Sequence, residues 1–156
     1  MEKTSSSSRI VISEVMMPSK ANVAGNIHGG EIIKLMDSAA YVSARRYARS
    51  NVVTARVDEL EFHLPIFIGD LVICTAQVVY VGKSSMEVTV SVEVEDIENG
   101  TPQKALSAFF TMVAIDKKGK PHILPELIIE TESERWAFTE GKKRHEEHKG
   151  RKCQSD

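Results

Sequence analysis

Cysteine, net charge and long apolar runs are all scarce in this 156-residue chain, and each scarcity excludes something. The two cysteines, Cys74 in an apolar run and Cys153 in a polar tail, form neither a disulfide framework nor a metal-ligand spacing. No apolar stretch approaches the roughly 18 residues a transmembrane helix needs. The first eight residues, Met-Glu-Lys-Thr-Ser-Ser-Ser-Ser, lack the apolar core of a secretory signal, so a reducing cytoplasm is the simplest home. A formal net charge of −2 gives no reason to expect nucleic acid or a membrane as partner. With 42% apolar and 27% charged residues the balance is that of an ordinary globular protein, and the length suits one domain with a core rather than two.

Hydrophobic periodicity divides the chain. Residues 1–8 are serine-rich with nothing to bury and read as a disordered N-terminus. A short strand is expected over 9–15, then a loop from Pro18 to Gly30 rich in small and polar residues. From His28 or Gly30 to Arg49 the pattern is helical, with Ile32, Ile33, Leu35, Met36, Ala39, Ala40, Val42 and Ala44 around most of the circumference. Such a helix belongs in an interior. Four strands follow, over 51–62, 70–81, 84–95 and 104–116. In the third, Met86, Val88, Val90, Val92 and Val94 alternate with polar residues, which is the period of a half-buried strand. Gly82-Lys83 and Glu98-Asn99-Gly100 supply the intervening turns. Residues 131–148 suit an amphipathic helix with Trp136 and Phe138 as anchors, and beyond Gly141 a basic, solvated end is expected. The order predicts an α+β fold: an antiparallel sheet wrapped around one long central helix, spanning 9–130, followed by a C-terminal helix and basic tail over 131–156.

The chemistry-bearing residues cluster around the helix start. Asp37 shares a stripe with Ile33, Ala40 and Ala44, so partial burial is expected. Position alone leaves open a structural ion pair or a general base, since desolvation lifts a carboxyl toward the working pH. Gly29-Gly30 open the helix, where the first N–H groups lack internal partners and can meet a developing oxyanion; a turn that merely needs glycine accounts for them as well. Asn22 could position a substrate or close an Asx-turn, and His28 could serve as a base or a helix cap. Gly82-Lys83-Ser84-Ser85 offers an ammonium, hydroxyls and accessible backbone at a hairpin. Cys74, at mid-strand, reads as a small core residue.

The combination Asn22-x-x-Gly25-Asn26-x-His28-Gly29-Gly30 followed by Leu35-Met36-Asp37 resembles the signature of the hotdog-fold acyl-CoA thioesterases. Within them it is most similar to the bacterial acyl-CoA hydrolases related to the mammalian cytosolic long-chain enzyme. The resemblance runs from about Ile12 to Leu127 and includes Gly69-Asp70, Gly82 to Met86 and Val113 to Asp116. It implies a hotdog fold and hydrolysis of acyl-CoA to a free acid and CoA. Asn22 and Asp37 are then the catalytic pair, meeting across a dimer interface, with Asp37 as general base or nucleophile. The same resemblance places His28, Gly29 and Gly30 near the oxyanion and Gly82, Lys83, Ser84 and Ser85 near the CoA phosphates. No metal or other cofactor is expected beyond coenzyme A itself, and the assembly implied is a homo-oligomer built on dimers, commonly a trimer of dimers. The family pattern does not require histidine at position 28. Two rivals remain: a hydratase or dehydratase acting on acyl thioesters, and a non-catalytic acyl-CoA sensor.

Overall fold

Alternating burial along three neighbouring strands shows where the core lies: Val72, Cys74, Ala76 and Val78, then Met86, Val88, Val90 and Val92, then Leu106, Ala108, Phe110, Met112 and Ala114 are almost wholly shielded from solvent. The computed structural model describes residues 3–154, which leaves Met1, Glu2 and the last two residues outside it, along with the side chains of Lys152, Cys153 and Gln154. In chain order the elements are α1 (Ser5–Ser8), β1 (Ile10–Val15), a 3-10 turn (Pro18–Lys20), α2 (Gly29–Ala48), β2 (Asn51–Phe62), β3 (Leu71–Val81), β4 (Ser85–Glu95), β5 (Gln103–Ile115) and α3 (Glu132–Gln154). The five strands make one antiparallel sheet in the order β1-β3-β4-β5-β2, wrapped around α2 in the hotdog arrangement. The β3–β4 hairpin closes where Gly82 N–H donates to the Ser85 carbonyl at 2.8 Å. In the β4–β5 turn Gly100 N–H donates to Asp96 O at 2.8 Å. A Cβ on Gly100 would stand 2.8 Å from that same oxygen, so the turn admits only glycine.

Helix α2 packs on the sheet through Ile32, Met36, Ala39, Ala40, Ser43, Ala44, Tyr47 and Ala48. It is not interior all round, as its composition suggests: Tyr41 and Val42 are about two-fifths exposed, and the outward face is open in the single chain. The same holds for the edge strand β2, where Val53, Val57 and Phe62 stand exposed. Apolar side chains on a strand with one free hydrogen-bonding edge are what a sheet edge shows when its own chain supplies no cover.

The serine-rich N-terminus is ordered over residues 3–8, contrary to the expectation of disorder. Thr4 and Ser7 form a capping box on α1. Strand β1 pairs with β3 only as far as Ala76. Beyond it, Ser5 Oγ donates to Val78 O (2.6 Å) and Val78 N–H donates to Ser8 Oγ (2.9 Å). Hydroxyls thus replace the missing strand neighbour, and a run of serines, poor in apolar surface, is held by backbone groups that need partners.

Helix α3 continues past the expected boundary to Gln154, and Phe138 alone of the two expected anchors packs, its ring 5.1 Å from that of Tyr80. Trp136 is 69% exposed. The docked face is mostly ionic rather than apolar. Arg144 donates two hydrogen bonds of 2.8 Å to the buried Glu87 carboxylate, and its guanidinium lies 3.7 Å from the centre of the Phe109 ring. His148 reaches Asp58 of β2 at 3.2 Å. These contacts need a close approach, and Gly141 permits it: a Cβ there would lie 2.7 Å from Tyr80 Cβ and 2.8 Å from a Glu87 oxygen.

Two outcomes follow from this packing. Ser8→Ala, which strands the buried Val78 N–H, should lower the unfolding free energy in urea by about 1–3 kcal/mol; a disordered segment would show no change. Gly141→Ala should destabilise α3 in limited proteolysis, although alanine in a helix interior is ordinarily favoured over glycine by about 1 kcal/mol.

Candidate active site

Asp37 lies on α2 one residue beyond the fully buried Met36, which turns it off the packed stripe toward β2. Its Oδ1 accepts a 2.7 Å hydrogen bond from Thr54 Oγ1. The carboxylate is exposed in the single chain, not partly buried as the apolar stripe suggests. Thr54 is the residue that sequence reasoning missed. Its alternation with Val53 and Ala55 marks it only as the polar face of a strand. In the structure it points at α2 and sits immediately before a bulge, between Thr54 and Arg56, that resets the register of β2 against β5. A hydroxyl on the helix-facing side of the edge strand was the available signal.

Asn22 lies in the loop between the 3-10 turn and α2. Its Oδ1 accepts from Ala24 N–H (3.0 Å) and Asn26 N–H (3.2 Å), and its own N–H donates to Asn26 O at 2.7 Å. The Asx-turn reading is therefore correct for the oxygen. The two N–H donors also fix the amide orientation, so Nδ2 points away from the turn, with no hydrogen bond to the described residues. The loop is anchored at both ends: His28 N–H donates to Lys20 O at 2.9 Å, and Ile27 N–H to Ile66 O at 2.8 Å.

His28 is the N-cap of α2 and caps through its backbone alone: its carbonyl accepts from Glu31 and Ile32, while the exposed imidazole makes no cap bond. Those two bonds leave the N–H groups of Gly29 and Gly30 as the outward-facing donors of the first turn. The Phe62 ring rests on Gly29, 3.3 Å from where a Cβ would be, whereas Gly30 faces open space. Asn22, Gly29 and Phe62 border a cavity of about 160 Å³ whose floor is aliphatic.

The structure thus brings Asn22 and Gly29 to one cavity but leaves Gly30 outside its lining and keeps Asp37 apart from both. Eight residues separate Gly29 from Asp37, about 12 Å along a helix axis, and Asp37 does not line the cavity. Gly82 and Lys83 border a different groove of about 430 Å³, shared with Leu124, Leu127 and Phe138. There the Lys83 and Ser84 carbonyls accept from Leu124 and Ala114 at 2.9 and 2.8 Å, and Lys83 itself is exposed. Ser85 begins β4. Burial pushes the Cys74 thiol up to about 12, which leaves it an inert core residue rather than a nucleophile. Among the described residues no cluster of three or more His, Cys, Asp or Glu side chains could hold a metal ion. No helix among them is long and apolar enough to cross a membrane.

A model of the thioesterase superfamily matches residues 24–101. The cytosolic acyl coenzyme A thioester hydrolase of Mus musculus is 36% identical over 137 residues, covering 86% of this chain and 36% of the mouse protein. The chain thus spans about a third of the length of that relative. The acyl-CoA hydrolase of Staphylococcus aureus, solved with butyryl-CoA and CoA, superposes with a TM-score of 0.89 at 32% identity, covering 99% of this chain and 94% of that one. The same bacterial enzyme has been solved as single alanine variants of an aspartate, a threonine and an asparagine. The hexameric thioesterase y2039 of Yersinia pestis superposes with a TM-score of 0.71 at 36% identity, covering 74% of this chain and 93% of that one.

The two roles available to Asn22 separate in one measurement. Asn22→Ala should speed amide hydrogen exchange at Ala24 and Asn26 by about five- to tenfold, the loss of one hydrogen bond each. Asn22→Asp keeps the acceptor and should leave both amides protected.

Proposed function

The chain belongs to the thioesterase superfamily, and from that premise we propose that it hydrolyses acyl-CoA thioesters at a site completed by a second copy of itself. One observation carries the reading. Two half-sites, Asn22 with Gly29 and Asp37 with Thr54, are reached from opposite ends of the open, apolar-bearing edge strand β2, one beside Phe62 and the other at Thr54. Pairing of β2 with the β2 of a partner about a two-fold axis brings each half to the other, because an isologous contact repeats every juxtaposition twice. It also covers Val53 and Val57, and removes Asp37 from bulk water.

The chemistry follows from the groups. Asp37, held by the Thr54 hydroxyl, takes a proton from water as that water attacks the thioester carbon; alternatively, the carboxylate attacks and a mixed anhydride is hydrolysed afterwards. The Asn22 amide, its oxygen occupied by its own loop, offers Nδ2 to the carbonyl or to the water. The N–H groups of Gly29 and Gly30 receive the negative charge that grows on the carbonyl oxygen. The thiolate of CoA departs and takes up the proton. Water supplies every atom the products gain, so the balance requires no metal or redox group. Gly82, Lys83, Ser84 and Ser85 form the outlying contact for CoA phosphates, where an exposed ammonium acts as a point charge.

The assembly proposed is a homo-oligomer of such dimers, a trimer of dimers, working in the cytoplasm on free acyl-CoA. Hexameric relatives support the assembly, and the cytosolic mouse relative supports the compartment. His28, with its ring exposed and without a hydrogen bond to the described residues, lacks the positioning a hydratase base would need.

Asp37→Asn and Asn22→Asp should each lower kcat by two or more orders of magnitude, with the Asn22 loop intact in the latter. After subunit exchange, an equal mixture of the two inactive proteins should recover about a quarter of wild-type activity: half the dimers are mixed, each with one intact site of two. No recovery despite verified exchange would place both residues in one chain's site.

A further inference from the structure

We infer that the C-terminal helix sets the catalytic pair from the far side of the sheet: His148 and Arg56, holding Asp58 between them, lock the β2 bulge that aims Thr54 at Asp37. The inference rests on the proposed hydrolysis and adds three positioning residues to it, all on the face of the sheet turned away from α2.

Strand β2 is the least determined of the five. Within the chain it pairs only with β5, and its register breaks twice, between Thr54 and Arg56 and again between Asp58 and Glu61. Glu59, in the second break, takes a left-handed φ of 50°. Between the breaks lies a short island, Arg56, Val57 and Asp58, opposite Thr111, Phe110 and Phe109. An edge segment hydrogen-bonded on one side opens locally at small free energy.

The first break decides where Thr54 points. Residues two apart on a regular strand share a face, so Thr54 and Arg56 would otherwise stand together. One extra residue, Ala55, reverses the alternation. Thr54, opposite the buried Met112, faces α2 and meets Asp37, while Arg56 and Asp58 stand on the outward face. Straightening the bulge would turn Thr54 away from Asp37 or bring Arg56 beneath the helix.

On the outward face the island is held. Arg56 Nε lies 3.0 Å and His148 Nε2 3.2 Å from the same oxygen, Asp58 Oδ2. Although it belongs to an edge strand, the Asp58 side chain is only 19% exposed. Helix α3 brings His148 there from an anchorage at the middle of the sheet. Phe138 lies on Tyr80 of β3, and Arg144 binds Glu87 of β4 over the Phe109 ring of β5. Those contacts already cover the two rings; the further turn to His148 reaches β2. The helix is a cross-brace that ties the edge strand to the strands beyond β5.

The test is a double-mutant cycle on the full-length oligomer, using the saturated acyl-CoA that the wild type cleaves fastest. His148→Leu should lower kcat by about fivefold, the scale of one partly shielded ion pair, and leave KM within about twofold. His148→Lys, which returns a cation within reach of Asp58, should restore most of the rate. In a Thr54→Ala background His148→Leu should cost nothing further, because the brace acts through that hydroxyl. Equal losses in both backgrounds, a change in KM alone, or no rescue by lysine would overturn the inference. Amide hydrogen exchange reads the brace without turnover: His148→Leu should speed exchange across residues 54–58 by about fivefold and leave β3 and β4 unchanged. Unchanged β2 amides would also overturn it. If Thr54→Ala leaves too little turnover to compare, the exchange result decides alone. If circular dichroism shows His148→Leu unfolded, Asp58→Asn is read by the same cycle and the same exchange. Failure of the wild type to cleave any acyl-CoA would end the hydrolase reading, while the exchange data would still decide whether α3 braces β2.

Discussion

The seating of α2 on the sheet is the contact on which the rest of the structure depends. Met36, Ala39, Ala40 and Ala44 have no exposed surface at all, and the strands opposite present Val88, Val90, Phe110 and Met112 in the same state. Three alanines in one stripe let the helix axis approach closely, and the larger strand side chains fill what the alanines leave, at the density of a packed interior. Once Met36 points into the sheet, the 100° step of the helix leaves Asp37 beside the edge strand, where Thr54 meets it. The same rigid rod fixes its own N-terminus near Asn22, so one packing decision locates both half-sites and also keeps them apart.

Around this core, polar groups act as fasteners where apolar ones are absent. The hydroxyls of Ser5 and Ser8 extend β3 beyond the reach of β1, and Ser43 Oγ, wholly buried, donates to Ser8 O at 2.8 Å to tie α1 back to α2. Glu87 and Arg144 are both largely shielded, and their bidentate geometry with an aromatic ring beneath the guanidinium is the arrangement in which a desolvated pair is best compensated.

What could be read in the amino acids, and what could not, divides along these lines. The alternation from Met86 to Val94 and the helix over α2 were legible because burial imposes a period, and the turns at Gly82 and Gly100 because backbone geometry restricts their chemistry. The cluster of Asn22, Gly29, Gly30 and Asp37 was legible as a pattern, and the family resemblance implied its division between two chains, but the distance that keeps Asp37 from the Asn22 cavity within one chain was not, since spacing along a chain carries no distance across a fold. The exposure of Asp37, Val53 and Val57 was not legible either, since an apolar stripe or a strand alternation does not say which face its own chain covers. Trp136 looked like an anchor because large apolar residues usually pack, yet Gly141 dictates the face of α3 that can approach, and Phe138 rather than Trp136 lies on it. The order in residues 3–8 was hidden because hydroxyl-to-backbone bonds leave no hydrophobic period to detect.

The ionic underside of α3 gives the helix a separate thermodynamic character. Lifting it off would wet Tyr80, Phe138 and the ring of Phe109, but chiefly it would rehydrate Glu87, Arg144, His145 and His148, so little greasy area is uncovered. An opening of that kind has a small heat capacity and a shallow dependence on urea, while it still frees a row of amides to exchange with solvent. The C-terminal helix is therefore held largely by groups that water can also satisfy, with the Tyr80 and Phe109 rings as the apolar part of its seat.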